Sequence, residues 1–392
     1  MSADRIVVVD GARTPVGSFG KSLKDVPAHE LGATAVRAAL VRAGVDGADV
    51  GEVVMGCIGQ VGPDAYNARR VALAAGLPDT TPAYTVNRLC GSGLQAVWSA
   101  AAQMRWGGPD ITVAGGDESM SRMPFLDFNA RDGHRLGDRA LVDGTVGILT
   151  DPFSSVHMGR TAEAVARRYG VSRAEQDAFA LQSQRRAASP EARTAFAEEI
   201  TPVHVGGRKP FLFTADEHPR PGTTAEALAA LPPAFEDGGS VTAGNASGIN
   251  DGAAALVLAR EPAVVERGLR PLVALESVAT AAMEPHLMGY APVPALRKLF
   301  EQTGTRPDDI GVIELNEAFA AQAVAVVRDA GLDPLRTNPY GGAIALGHPV
   351  GATGAILTLR VAKALVRHDL ELGVVTMCIG GGQALAALFR RI

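Results

Sequence analysis

Short apolar runs alternate along the chain with alanine-rich segments whose apolar residues recur at helical spacing. The run IVVV at 6–9 precedes ELGATAVRAALVRAGV at 30–45, and the apolar runs at 51–59 and 110–120 contain glycines near their ends. The theme returns late in the chain, in ELGVVTMCIGGGQ at 371–383. Continuous apolar strands that alternate with helices predict an α/β fold whose sheets are buried on both faces.

The middle of the chain breaks this pattern. Residues 119–244 carry more charge and proline, and they contain one clear helix in which Ser172 and Glu175 form a capping box. We interpret this stretch as a large excursion between two similar α/β halves. The predicted parts are an N-terminal half at 1–118 plus 245–270, a loop domain at 119–244, and a C-terminal half at 271–392.

The two halves also share a local pattern around a cysteine. NRLCGSGLQAVW around Cys90 and TMCIGGGQALAAL around Cys378 each place the cysteine before glycines and an apolar segment. Two related halves would bring these cysteines to one shared face of the protein.

The composition narrows the function classes. The 392 residues are 47% hydrophobic and 20% charged, with a net charge of −5. No basic run points to nucleic acid, and no apolar run approaches the roughly 18 residues that cross a bilayer. We therefore expect that the protein binds neither nucleic acid nor a membrane. Three cysteines do not make a disulfide framework, and the run at 6–9 is too short for a signal peptide. We therefore expect a cytoplasmic protein, and its low polarity favours subunit contacts.

Cys90 and Cys378 are the candidate reactive thiols. Cys90 stands where a strand-like run gives way to a helix, and the free N–H groups and dipole at a helix N-terminus favour the nucleophilic thiolate. Cys378 stands at a strand end before three glycines. A small buried apolar residue is the alternative for both, and it is the interpretation that we prefer for Cys57.

His348 is the candidate base. Five glycines surround it in NPYGGAIALGHPVGATG, and a loop imidazole with a pKa near neutrality can accept a proton from a thiol. A surface-loop histidine is the alternative. Asn316 is either a helix N-cap or a donor to a substrate or water, and turn-forming roles would explain His157 and Ser247. No zinc-type spacing or P-loop occurs, so no metal site is expected.

Six motifs follow one another across nearly the whole chain: NRLCGSG, GGDESMSR, TAGNASGINDGAA, NEAFAAQ, GGAIALGHPVGATG and CIGGGQ. Together they closely resemble the thiolase family of acetyl-CoA acetyltransferases and 3-ketoacyl-CoA thiolases. The resemblance implies two similar α/β halves packed as a five-layered α-β-α-β-α core, with a large loop-domain insertion that binds CoA. It also implies a homo-oligomer, dimer or tetramer, that uses CoA and acyl-CoA as substrates and has no cofactor.

The resemblance assigns catalytic roles. Cys90 looks like the nucleophile that becomes acylated, and His348 like the base that takes its proton. Cys378 looks like the general acid and base toward the other substrate. Asn316 would hold a water that forms one oxyanion hole with His348, and the backbone N–H groups of Cys90 and Gly380 would form the other.

The same resemblance implies contacts with the substrate. Arg220 in the loop domain would contact the nucleotide end of CoA, and Ser247 the pantetheine amides. His157 and Met158 would line the acyl pocket, and their HMG motif resembles the short-chain, acetoacetyl-CoA-using branch.

The implied activity is that of an acetyl-CoA C-acetyltransferase, which reversibly condenses two acetyl-CoA or cleaves short-chain 3-ketoacyl-CoA. Three residues depart from the family pattern, and one of them, Tyr290, is bulky enough to reshape the acyl pocket; the others are Asp117 and Ala384. A broader or longer-chain 3-ketoacyl-CoA thiolase is therefore the alternative. An inactive acyl-CoA-binding scaffold is a further alternative. A decarboxylating ketoacyl synthase is disfavoured, because it would use two active-site histidines rather than His348 and Cys378.

Overall fold

Two similar halves share one long mixed sheet in the computed structural model, which describes residues 5–392. The first half contains β1 (Ile6–Arg13), β2 (Gly17–Ser18), α1 (Ala28–Ala43), β3 (Glu52–Gly56), α2 (Asn67–Ala74), β4 (Ala83–Val86), α3 (Ser92–Arg105) and β5 (Ile111–Ser119). The excursion contains β6 (Phe125–Leu126), β7 (Val142–Asp143), α4 (Gly144–Ile148), α5 (Met158–Tyr169), α6 (Arg173–Ala187), α7 (Pro190–Glu199), β8 (Val203–Val205), β9 (Phe211–Phe213) and α8 (Ala225–Ala229).

The chain then returns to the first half before it builds the second. The return is made by β10 (Asn250–Arg260) and α9 (Glu261–Arg267). The second half contains β11 (Val273–Ala282), α10 (Pro292–Thr303), β12 (Val312–Leu315), α11 (Ala320–Asp329), α12 (Ala343–Leu346), α13 (Thr353–Arg367), β13 (Leu372–Ile379) and β14 (Gln383–Arg391).

The order of the strands repeats between the halves. In the first half it is β4-β3-β5-β10-β1, with β3 parallel to β4 and β5. In the second half it is β12-β13-β14-β11, and a parallel bridge from Ile313 to Thr337 marks the place equivalent to β4. Only two residue pairs join β1 to β11. The two similar halves predicted from the sequence are therefore present.

Successive side chains of a strand point to opposite faces of the sheet and so belong to different apolar clusters, of which three are large. On β1, Ile6 and Val8 pack in the cluster that contains α3 and α13, while Val7 packs with α1 and α2. On β14, Phe389 points to the same central helices and Leu388 points to α10 and α11. Because each strand buries both faces, helices cover the outer face of the sheet in each half. The helices α3 and α13 fill the layer between the two halves of the sheet. This arrangement confirms the predicted five-layered α-β-α-β-α core.

The structure confirms one predicted helix boundary and shows where the two cysteines lie in their halves. Ser172 and Glu175 form the expected capping box of α6. The cysteines, however, are not equivalent positions of the two halves. Cys90 precedes the helix α3, whereas Cys378 lies in β13 and is followed by the strand β14. The shared cysteine–glycine pattern thus has two different causes, because a turn between strands and a helix start both need small residues.

The excursion is not a featureless loop, because α5, α6 and α7 pack within it and against the second half. Within residues 5–392, none of the helices combines the length and the apolar character that crossing a bilayer requires.

Two neighbouring carboxyl groups are buried at the end of β5. Asp117 is fully buried and accepts a hydrogen bond from Nδ2 of Asn67 at 2.8 Å. Glu118 accepts the backbone N–H groups of Ile58 and Gly59, each at 3.0 Å. Burial and the adjacent Glu118 raise the pKa of Asp117 to about 8. The departure from the family pattern at Asp117 thus places an acid, rather than an apolar side chain, in the packed interior.

We predict that Asp117→Asn stabilises the protein increasingly as the pH rises. The folded carboxyl keeps its proton up to a pKa of about 8, whereas an unfolded Asp loses it near 3.8, so the wild-type free energy of unfolding falls across that interval. The amide has no proton to lose, and its advantage should reach roughly 1–3 kcal/mol at pH 8. Urea unfolding at pH 5 and pH 8 measures it, with the exposed Asp138→Asn as control. A difference that stays constant with pH contradicts the prediction.

Candidate active site

A cavity of about 360 Å³ lies where the two halves meet the excursion. Most of its lining is apolar, as is usual for a small-molecule site. Eight of the nine residues predicted as catalytic or substrate-binding line it: Cys90, His157, Met158, Arg220, Ser247, His348, Cys378 and Gly380. The ninth, Asn316, lies behind His348, with Nδ2 at 3.4 Å from the imidazole Nε2. The structure thus brings all nine residues to one place.

Cys90 sits in a tight turn between β4 and α3. Leu89 before it has a φ of 47°, and Ser92 closes the turn by accepting the backbone N–H of Arg88 at 2.9 Å. Burial raises the pKa of the Cys90 thiol to about 11, although the nearby backbone N–H groups of Gly380 and of Cys90 itself act in the opposite direction. The helix N-terminus, which we expected to favour the thiolate, is therefore outweighed by the cost of burying the charge, and the thiol keeps its proton at neutral pH.

His348 lies in the turn between α12 and α13, and its ring is held in one tautomer. Thr353 Oγ1 donates to the carbonyl of Pro349 at 2.9 Å, so it accepts the Nδ1–H of His348 at 2.7 Å. The lone pair is therefore on Nε2. Burial lowers the pKa of His348 to about 4, which corrects the near-neutral value expected from its loop position.

Cys378 is the penultimate residue of β13 and is 1% exposed. Burial and, next, the neighbouring Cys90 raise the pKa of its thiol well above the usual range. The turn after it contains Gly381 and Gly382 at φ values of 79° and 81°, a conformation that glycine adopts without strain. Both thiols and the imidazole are thus uncharged at neutral pH.

Asn316 is a donor in this site and not a helix cap. The helix α11 begins four residues later, after Phe319, which removes the capping alternative. The Asn316 backbone N–H donates to the carbonyl of Thr376 at 3.0 Å, which fixes it beside β13. Its side-chain Nδ2 faces His348 Nε2.

The residues predicted to contact substrate occupy different parts of the lining. His157 caps α5 through Nδ1, which accepts the N–H of Gly159 at 3.0 Å, and its ring stacks on Phe235 with centroids 4.9 Å apart. The backbone of Ser247 donates to Ala318 at 2.9 Å. Arg220 is exposed to solvent although it also lines the cavity, so it lies at the opening.

Tyr290 does not reach the cavity, so the expectation that it reshapes the acyl pocket was wrong. Its ring stacks on Tyr169 with centroids 3.7 Å apart, and its hydroxyl donates to Asp329 at 3.0 Å. The lining residue from this segment is Met288, two positions earlier. Helical phase decides the matter: the short 3-10 helix at Pro285–Tyr290 turns the two side chains to different faces.

Sequence reasoning missed several other residues of the site. The apolar side chains of Phe235 and Phe319 lie in irregular segments, where no periodicity marks them. Thr353 could have been found, since it follows His348 by five residues inside the same motif. His218 also lines the cavity and gave no local signal. In the described part of the chain, no group of three or more His, Cys, Asp or Glu side chains could hold a metal ion.

Comparisons with known proteins cover the whole chain. The family models "Thiolase, N-terminal domain" and "Thiolase, C-terminal domain" match residues 6–262 and 269–391. Over 390 residues, and 99% of both chains, the sequence is 50% identical to beta-ketothiolase BktB of Cupriavidus necator. It is 48% identical to the acetyl-CoA acetyltransferase of Escherichia coli over 392 residues, which are 98% of this chain and 99% of that one.

Solved structures are equally similar. The crystal structure of the Bacillus anthracis acetyl-CoA acetyltransferase has a TM-score of 0.98 at 41% identity and covers 100% of this chain and 99% of that one. Human mitochondrial 3-ketoacyl-CoA thiolase in complex with CoA has a TM-score of 0.96 at 40% identity, with 100% and 98% covered.

We predict that Cys90 reacts as a thiol whose deprotonation requires alkaline pH. Because its pKa is about 11, the rate of alkylation by iodoacetamide should rise about tenfold per pH unit from pH 7 to pH 10. Mass spectrometry of the peptide that contains Cys90 measures this rate. Labelling of the buried Cys57 in the same sample reports any unfolding. A rate that is already level below pH 8 would show a resting thiolate and contradict the prediction.

Proposed function

Because the chain belongs to the thiolase family, we propose that it transfers acyl groups between CoA thioesters through an acyl-Cys90 intermediate, as an acetyl-CoA C-acetyltransferase. Its reaction condenses two acetyl-CoA to acetoacetyl-CoA and CoA, or runs in reverse as thiolysis. The observation that carries this conclusion is the meeting of two thiols and one imidazole in a single cavity, where Cys90, His348 and Cys378 all line the wall.

Acylation begins with the transfer of the Cys90 proton to Nε2 of His348. The neutral tautomer held by Thr353 places the lone pair on that nitrogen, which can therefore accept the proton. In thiolysis the sulfur attacks the 3-keto carbon, and the carbon–carbon bond breaks to give an acyl-Cys90 thioester and the enolate of acetyl-CoA. Cys378 donates the proton that converts the enolate to acetyl-CoA.

The second half-reaction returns the acyl group to CoA. The Cys378 thiolate takes the proton of the CoA thiol, and the resulting CoA thiolate attacks the acyl-Cys90 carbonyl. When the tetrahedral intermediate collapses, Cys90 leaves and recovers its proton from His348. A cysteine thioester nearly matches a CoA thioester in free energy, so neither half-reaction is a thermodynamic trap.

Two oxyanion sites are proposed for the negative charges that develop in these steps. The backbone N–H groups of Cys90 and Gly380 converge on the reacting sulfur, which supports their role beside the acyl carbonyl. The amide of Asn316 at 3.4 Å from His348 supports a second site, with a water held by Asn316 and the imidazole. Donors fixed by the backbone stabilise such charge without reorganising.

CoA is proposed to enter past the loop domain. Exposed Arg220 at the opening suits the phosphates of the nucleotide end, and Ser247 lines the same cavity as Cys90, which supports its contact with the pantetheine amides. His157 and Met158 would bound the acyl group, which supports short-chain substrates. The longer-chain activity stays the second candidate, because Ile148 and other apolar residues extend the same lining.

We also propose that the protein is a cytoplasmic homo-oligomer. Apolar side chains of the excursion are exposed in one segment, among them Phe125, Phe128, Leu136 and Phe153. A second copy of the chain would cover them, in a dimer or tetramer. Sedimentation of the protein as a monomer at micromolar concentration would contradict this.

We predict that purified protein cleaves acetoacetyl-CoA when CoA is added. The absorbance of the magnesium-enolate of acetoacetyl-CoA should fall, and acetyl-CoA should appear in a ratio of two per substrate. A panel of 3-ketoacyl-CoA of four to sixteen carbons then separates the two candidate specificities, since a short-chain enzyme loses kcat/KM as the chain grows. An inert protein would support the scaffold instead.

We predict that the two cysteine variants lose different steps of the reaction. Cys90→Ser should lose acylation by acetyl-CoA, because a hydroxyl is a far weaker acid and nucleophile than the thiol. Cys378→Ala should still gain one acetyl group by mass spectrometry, yet lose condensation by at least about 100-fold, the usual contribution of a general acid–base group. Cys57→Ala is the matched control and should keep both activities. Condensation by Cys378→Ala at the wild-type rate would refute its assigned role.

A further inference from the structure

Asn250 is a buried amide whose hydrogen bonds connect three segments beside the cavity. It is the first residue of β10 and has no exposed surface. Its Oδ1 accepts the backbone N–H of His348 at 2.9 Å, and its Nδ2 donates to the carbonyl of Gly17 at 3.0 Å. The same Nδ2 lies 3.5 Å from Nδ1 of His218. The amide thus joins the base, the first half and the loop domain.

These partners fix both the amide orientation and the tautomer of His218. A flipped Asn250 would turn its N–H groups toward the N–H of His348, so two donors would face each other. The ring of His218 donates to the carbonyl of Ile344, which leaves Nδ1 as the acceptor for Asn250. Burial lowers the pKa of His218, in agreement with an uncharged ring.

Two glycines give this network its space. At Gly347, which has a φ of 95°, an added Cβ would lie 2.5 Å from the Asn250 side chain. At Gly248 an added Cβ would lie 2.3 Å from the His218 ring. Contacts this close leave the amide and the ring one position each.

We propose that Asn250 and His218 are positioning residues for the base His348. Thr353 holds the ring of His348 through Nδ1, and Asn250 holds its backbone N–H, so the two together aim Nε2 at Cys90. His218 contributes by holding the Asn250 amide. This inference rests on the proposed thiolase function. Because proton transfer depends on placement to within about 1 Å, loss of the amide should slow acylation about 10- to 100-fold.

The test is a double-mutant cycle on the acylation step. Asn250→Ala should lower the single-turnover rate of acylation by saturating acetyl-CoA about 10- to 100-fold, with a KM changed less than about threefold. His218→Ala should lower the rate less. The double variant should be no slower than Asn250→Ala, since His218 acts through the amide. His218→Gln can donate to Ile344 and accept from Asn250, so it should restore most of the rate.

Controls separate this mechanism from simpler ones. Glu217→Gln weakens the same segment at its contacts with Ser18 and Ser22, and should leave the acylation rate unchanged. Thermal unfolding shows whether each variant is folded; if Asn250→Ala is not, the His218→Ala and His218→Gln pair decides alone. Additive losses, a change in KM only, or no rescue by glutamine would overturn the proposal. An inactive wild type would instead reject the proposed function.

Discussion

Burial of the three reacting groups is the constraint on which the site depends. It raises the pKa of both thiols and lowers that of the imidazole, so Cys90, Cys378 and His348 rest as neutral groups. Charge must then be created during each step and stabilised at once by fixed donors. The same burial makes those donors effective, because a hydrogen bond to a developing anion is stronger where the effective dielectric constant is low.

The repeated architecture explains how these groups meet. The helices α3 and α13 occupy the central layer, and their N-termini touch so closely that a Cβ on Gly354 would lie 2.3 Å from the backbone N of Leu94. Cys90 precedes α3 by two residues, and His348 precedes α13 by five. Nucleophile and base therefore come from equivalent places in the two halves. Cys378 comes instead from the end of β13, the strand that corresponds to β5, and it stands at the place that Glu118 occupies in the first half.

The sequence predicted the elements and the site residues better than it predicted their chemistry. Apolar periodicity found the strands and helices, and motif order brought Cys90, His348 and Cys378 together. The ionisation of Cys90 was judged from its local helix terminus, whereas its pKa is decided by surroundings from both halves and the excursion. Asn250 lies inside the motif TAGNASGINDGAA, but its partner His348 is 98 residues away, so the motif did not show what the amide contacts. Interactions that exist only after packing leave no trace in local pattern.

A buried ion-pair network explains why the excursion keeps its place on this core. Arg13 of β1 bonds to Glu199 and to Asp216 of the excursion, each at 2.7 Å. Arg360 of α13 reaches Glu199 at 3.4 Å. Such buried pairs add little net stability, but they are strongly unfavourable when a partner is missing, so they reject other placements of the segment. Asp216 is two residues before His218, and the network therefore sets the register of the segment that brings His218 and Arg220 to the cavity.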